Sequence, residues 1–263
     1  MPARDSLLRS LAIQRRILHA LLMREVITRF GRKNLGVLWL VIEPMLFTLG
    51  VAALWTAAGL QHSSGMPIIA FAITGYSSVL LWRNCASRSS MAIEQNFGLL
   101  YHRNVCVIDV LLTRIVLEVA GATASFAFLA AVFTALDWMS PPGDLLLVTA
   151  GWVLLAWFGA ALALVIGAGT AYSDVVEKLW HPAAYLLFPI SGAAFMVDWL
   201  PPALREAVLL LPMVHGVEML REGYFGSVVR THYDAGYLVV SCLLLTLLGL
   251  YMVRDAGRRV EVR

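Results

Sequence analysis

The run LLLVTAGWVLLAWFGAALALVIGAGTA, Leu145 to Ala171, contains no charged side chain. A helix needs about 20 predominantly apolar residues to cross a bilayer core, with a range of about 17–25, and a helix on the surface of a soluble protein keeps a polar face. This run has none, so it reads as a membrane span. Five other stretches have similar length. Leu35 to Leu60 carries only Glu43, and Met66 to Ala86 carries Arg83 near its end. The run from about Val107 to Leu136 holds Asp109, Arg114 and Glu118 in its first half; Leu179 to Val197 contains His181, Pro182 and Pro189; Ala235 to Val253 is uncharged. Runs this long are not the short alternating segments of a membrane barrel, so the spans are expected to be helices. Composition agrees. Of the 263 residues, 60% are apolar and 14% charged, against about 45–50% and about 25% in a soluble domain, and the mean hydropathy is +0.77. Both a water-soluble domain and a disordered chain are excluded. The expected fold is an all-α integral membrane domain of six transmembrane helices over 35–263, preceded by a cytoplasmic segment, 1–34.

Charge sets the orientation. With the N-terminus inside, only Arg205, Arg221 and Arg230 fall in outer segments, and the remaining 17 of 20 Lys and Arg lie on the inner side. The positive-inside rule then places both termini in the cytoplasm, as an even number of spans requires. The formal net charge of +3 gives no nucleic-acid reading. Cys85, Cys106 and Cys242 are far apart and lack metal spacing, so neither a disulfide framework nor a metal site is expected. About 34 polar-rich residues precede the first apolar run, which argues against a cleavable signal peptide.

Three connecting segments have their own pattern. Before the first span, Leu7, Leu11, Leu18 and Leu22 form a helical stripe with Arg9 and Arg16 opposite, while Arg15 and Glu25 do not fit it. A basic amphipathic helix of this kind lies along lipid headgroups or packs on a partner. Between the second and third spans, Ile93, Phe97, Leu100 and Tyr101 share one face, flanked by Glu94 and Gln95. This predicts a short cytoplasmic helix over about 92–102, suited to a groove in a soluble partner or to packing on the protein itself. The outer segment 198–234 holds two apolar stretches too short to cross, Ala203 to Leu211 and Pro212 to Leu220, punctuated by Pro201, Pro202 and Pro212. It reads as a helical hairpin re-entering the outer leaflet.

Enzyme and nucleotide-binding motifs are missing. The chain has no phosphate-binding G-x-x-x-x-G-K-[ST] and no H-E-x-x-H, C-x-x-C or G-x-S-x-G, so any nucleotide chemistry is expected in another chain. Glu43, followed by Pro44 and preceded by Trp39, is an acid inside an apolar run, and such an acid finds a partner or serves transport. Arg114 and Glu118 have the spacing of a helix-surface pair. Arg29, Arg32 and Lys33 cluster just before the first span and suit an anionic headgroup or phosphate, although topogenic charge alone accounts for them too. Trp39, Trp55, Tyr76, Trp82, Trp138, Trp180, Trp199 and Tyr251 fall near span ends, where an interfacial aromatic belt is expected.

The run Arg29-Phe30-Gly31-Arg32-Lys33-Asn34-Leu35-Gly36-Val37-Leu38-Trp39-Leu40-Val41-Ile42-Glu43-Pro44 resembles the signature that opens capsular polysaccharide export permeases, membrane subunits of the ABC-2 class of ABC exporters. The resemblance extends along the chain through the loop from Phe97 to Asp109. It continues in Leu200-Pro201-Pro202, Pro212-Met213-Val214-His215 and Glu218-Met219-Leu220-Arg221-Glu222-Gly223. It implies a permease in the bacterial inner membrane that works as a homodimer with two copies of a separate ATPase, which would hold ATP and Mg. It further implies coupling to the ATPase through Ile93, Glu94, Phe97, Leu100 and Tyr101, and a periplasmic cap that includes Pro201, Pro202, Pro212, Glu218 and Arg221. Periplasmic adaptor and outer-membrane export proteins would sit beyond that cap. The implied cargo is a lipid-linked, usually acidic polysaccharide, with Arg29, Arg32, Lys33, Arg83 and Arg88 guiding its anionic groups. An O-antigen or teichoic-acid exporter would share the plan. From a different class, a membrane enzyme acting on lipid-linked sugar would use Glu43, Asp109 or Glu118 and turn over without ATP.

Overall fold

The computed structural model describes residues 2–30, 36–57, 66–100 and 105–262, except the side chains of 2–11, 29–30, 36–37 and 260–262. Among the described residues the fold is entirely helical, without strands. A long first helix, α1 (Pro2–Phe30), precedes α2 (Gly36–Ala57) and α3 (Ile68–Ser90). Two single turns follow, α4 (Ala92–Gln95) and α5 (Phe97–Leu100), then α6 (Val107–Ala135), α7 (Leu145–Gly169) and α8 (Asp174–Ile190). The chain ends with α9 (Pro202–Val208), α10 (Pro212–Phe225) and α11 (Ala235–Val262).

Local chemistry starts these helices. Asp144 caps α7 by accepting the Leu146 and Leu147 N–H groups at 2.9 and 3.0 Å, and Ser173 caps α8 through Val175 N–H. Pro202 and Pro212 open α9 and α10, where a missing N–H costs nothing. Among the described residues, four helices are long and apolar enough to cross a membrane, at Leu38–Ala57, Val107–Ala135, Leu145–Gly169 and Ala235–Arg259. α3 is more polar. It sits at the centre, packed by α2, α6, α7 and α8, and two of its buried hydroxyls, Thr74 and Ser78, donate to the carbonyls of Ala70 and Thr74.

α7 is the other central helix and packs on α3, α10 and α11. Its approach to α10 is close enough that a Cβ on Gly151 would stand 2.8 Å from the Leu220 nitrogen. The main core gathers Trp82, Leu129, Leu155 and Leu220. A second cluster, built on Ile93, Leu111, Leu164 and Ala256, lies at the end carrying α4 and α5.

Several expectations need correction. The fifth apolar helix runs Asp174–Ile190 rather than 179–197. It stops because the carbonyls beyond it are taken by Arg221, and because Gly192 turns the chain with φ +82°. The helix expected over 92–102 is broken at Asn96, whose N–H bonds the Ile93 carbonyl three residues back. Ile93 is buried, while Phe97 is 44% exposed. Trp82, Trp180 and Tyr76 are buried core residues, not members of an exposed belt, whereas Trp39, Trp138 and Tyr251 are exposed. Trp180 donates its indole N–H to Ser87 and so ties α8 to α3.

Candidate functional site

A cavity of about 640 Å³ opens at the end that carries α4 and α5. α3 supplies its back wall, because Leu80, Arg83, Asn84, Ser87 and Arg88 recur at helical spacing on one face. α1 adds Arg24 and Glu25, α2 adds Glu43, Pro44 and Phe47, and α8 adds His181 and Tyr185. Gln95, Asn96 and Arg114 complete the lining. Among the described residues four arginines therefore face two glutamates, and a concave site with this excess focuses a positive potential on anions.

The charges are not equivalent. Arg88 Nη2 lies 2.9 Å from Glu43 Oε1, and its Nε lies 3.9 Å from Glu118. Arg114 Nη1 lies 3.1 Å from Glu25, and its Nη2 donates to Gln95 at 2.8 Å. Arg24 Nη1 donates to Asn96 Oδ1 at 2.7 Å. Arg83 lies over the Tyr185 ring at 5.8 Å, and neither it nor Arg24 has a carboxylate partner among the described residues. α1 reaches this site by packing on α6 and α2, burying Leu21 and Glu25, with Gln14 hydrogen-bonded to Asp109.

A smaller pocket of about 220 Å³ lies beside α4 and α5, lined by Ile93, Glu94, Phe97, Asp174, Glu177 and Arg259. Leu100 packs half-buried on the second core cluster. The far end of the bundle is organised around Arg221, which is fully buried. Its Nη1 donates to the carbonyls of Gly192 and Phe195 at 2.6 and 2.7 Å, its Nη2 donates to that of Ala193 at 2.6 Å, and its guanidinium lies over the Phe71 ring. Glu218, equally buried, accepts the N–H groups of Val197 and His232. Burial pushes the Glu218 carboxyl up; those two donors and the Arg221 charge oppose it.

Of the residues singled out from sequence, Glu43, Pro44, Arg83 and Arg88 meet in one cavity, and Ile93, Glu94 and Phe97 meet in the other. Trp39 is exposed and lies away from both. Pro201 precedes α9, Pro202 and Pro212 begin α9 and α10, and Glu218 and Arg221 lie inside α10. Arg32, Lys33 and Tyr101 lie outside the described residues, as does the Arg29 side chain. Sequence reading missed Arg24, Gln95 and Asn96 as cavity residues. Glu25 left a signal: it breaks the apolar stripe of α1 because it faces Arg114.

Residues 16–225 match the ABC-2 type transporter family, and the chain belongs to that family of membrane proteins. It is 45% identical over 252 residues to the capsule polysaccharide export inner-membrane protein BexB of Haemophilus influenzae, covering 96% of this chain and 95% of that protein. Identity and coverage are the same for the capsule polysaccharide export inner-membrane protein CtrC of Neisseria meningitidis. The polysialic acid transport protein KpsM of Escherichia coli is 28% identical, over 92% of this chain and 94% of that protein.

Proposed function

We propose that the chain is the permease subunit of an ATP-driven exporter that moves lipid-linked capsular polysaccharide across the bacterial inner membrane. The observation that carries this reading is the arginine-rich cavity of about 640 Å³ placed directly against the α4–α5 turns. An acidic cargo and the motor would then act at the same end of the bundle. Near full-length similarity to capsule export proteins supports it.

In this reading α3 and α8 join the four apolar helices to make six spans with both termini cytoplasmic. Two copies of the chain form the conduit, and two copies of a cytoplasmic ATPase hold ATP and Mg. α4 and α5 dock into that ATPase with Phe97 as the exposed knob, and Arg83 and Arg88 receive the anionic end of the cargo. α9 and α10 form a re-entrant hairpin at the periplasmic side, where adaptor and outer-membrane export proteins meet the permease. Transport is mechanical: nucleotide binding has different affinity for two packings of the helices and so drives one into the other.

The test is co-purification with a candidate ATPase, followed by hydrolysis and export assays on the reconstituted pair. Stoichiometric assembly and ATP-dependent export are expected. ATP hydrolysis by the isolated chain, or turnover of lipid-linked sugar without ATP, would overturn the assignment.

A further inference from the structure

The α4–α5 turns are fastened to the bundle by directional polar bonds as well as by apolar packing. Asn96 is 5% exposed; its Oδ1 accepts from Arg24 Nη1, and its Nδ2 donates to the Ala92 carbonyl at 2.9 Å. Gln95 Oε1 accepts from Arg114 Nη2, and Arg114 holds Glu25 with both side chains about nine-tenths buried. Apart from the Asn96–Ala92 bond, which lies within the turns, each bond joins different elements: Arg24 and Glu25 belong to α1, Arg114 to α6, Gln95 and Asn96 to the turns. All five residues line the large cavity.

Apolar contacts such as Ile93 on the second core cluster slide under load. A short hydrogen bond from a guanidinium resists, because its strength falls steeply with distance and angle. We propose that Arg24 and Arg114 are positioning residues of the transport cycle: they tie Asn96 and Gln95 to α1 and α6, so that a shift of the turns and a change in the cavity are one movement. This rests on the reading of the chain as a permease driven by a separate ATPase. By linkage the coupling is reciprocal, so cargo in the cavity alters nucleotide affinity at the ATPase as strongly as nucleotide alters the cavity.

The test compares Gln95→Met combined with Arg24→Met against the parent, in the complex with its ATPase and in cells lacking their own permease. Both exchanges are close in size, both residues are exposed, and the buried Arg114–Glu25 pair is left intact. The expected result is a stoichiometric complex in which capsule exported per ATP falls by about tenfold or more. The conservative combination of Gln95→Glu with Arg24→Lys keeps acceptor and donor, and is expected to retain most export. An unchanged export yield per ATP in the methionine variant would overturn the proposal. So would loss of assembly, hydrolysis and export in parallel, which marks a purely structural role. If the parent itself neither binds the ATPase nor restores export, the permease reading fails first, and this proposal with it.

Discussion

Two charged residues show how burial decides what a charge does. Arg221 is fully buried, and its guanidinium satisfies three carbonyls in the turn after α8. Removing it leaves those carbonyls and Glu218 without their donor and counter-charge. Arg221→Met is therefore expected to lower stability by about 3–5 kcal/mol, read as a large fall in thermal unfolding temperature in detergent. Arg221→Lys should recover only part of this, since an ammonium lacks the planar fork. The Glu43–Arg88 pair contrasts with it. Its side chains are 30% and 40% exposed, and pairs open to solvent are worth about 0–1 kcal/mol. Glu43→Gln should leave the unfolding temperature nearly unchanged, and a loss of export in that variant would come from altered charge in the cavity. Glu43 was visible in the sequence as an acid in an apolar run. Its partner was not, because Arg88 lies 45 residues away and nothing local marks the pairing.

Among the elements, the α4–α5 turns differ most from their sequence pattern. The apolar spacing of Ile93, Phe97 and Leu100 fits one continuous helix, yet Asn96 ends the first turn by bonding Arg24 and Ala92. Ile93 goes into the core and Phe97 is left outside. Phe97→Asp is expected to leave expression and unfolding unchanged, because an exposed site away from packing tolerates substitution within about 0.5 kcal/mol. Recovery of the ATPase in pull-downs should fall by at least about tenfold, the effect expected when an apolar anchor is replaced by a charge at an interface. α8 gives the complementary case. Its start, five residues ahead of Leu179, is set by the local Ser173 cap, whereas its end is imposed by a guanidinium from α10. α1 is intermediate: its helical character was legible, and the polarity of its packed face was betrayed only by Glu25.

At the scale of the molecule, the bundle gathers its described cavity arginines at one end and closes the other around Arg221 and Glu218. A focused positive potential depends on the summed charge of the cavity, so no one cation is expected to be indispensable. Replacing Arg83 and Arg88 together by Gln should reduce capsule export more than either change alone, with normal protein levels and normal ATPase binding. Surface polysaccharide measured beside immunoblots of the permease checks this, and full export in the double variant would remove the cavity from the cargo path.

The apolar helices, the clustering of basic residues outside them and the want of a nucleotide-binding loop are properties of the linear chain, so the sequence alone determined them. Crossing a bilayer is a requirement on consecutive residues, and charge in a connecting segment needs no partner to be counted. Which charges meet was decided only by the tertiary structure. Arg114 with Glu25, Arg24 with Asn96, and Arg221 with the turn at Gly192 join residues remote in sequence. The burial of Trp82 and Trp180 at the helix interfaces belongs to the same class, because a side chain's surroundings inside a bundle depend on how the helices are rotated against one another.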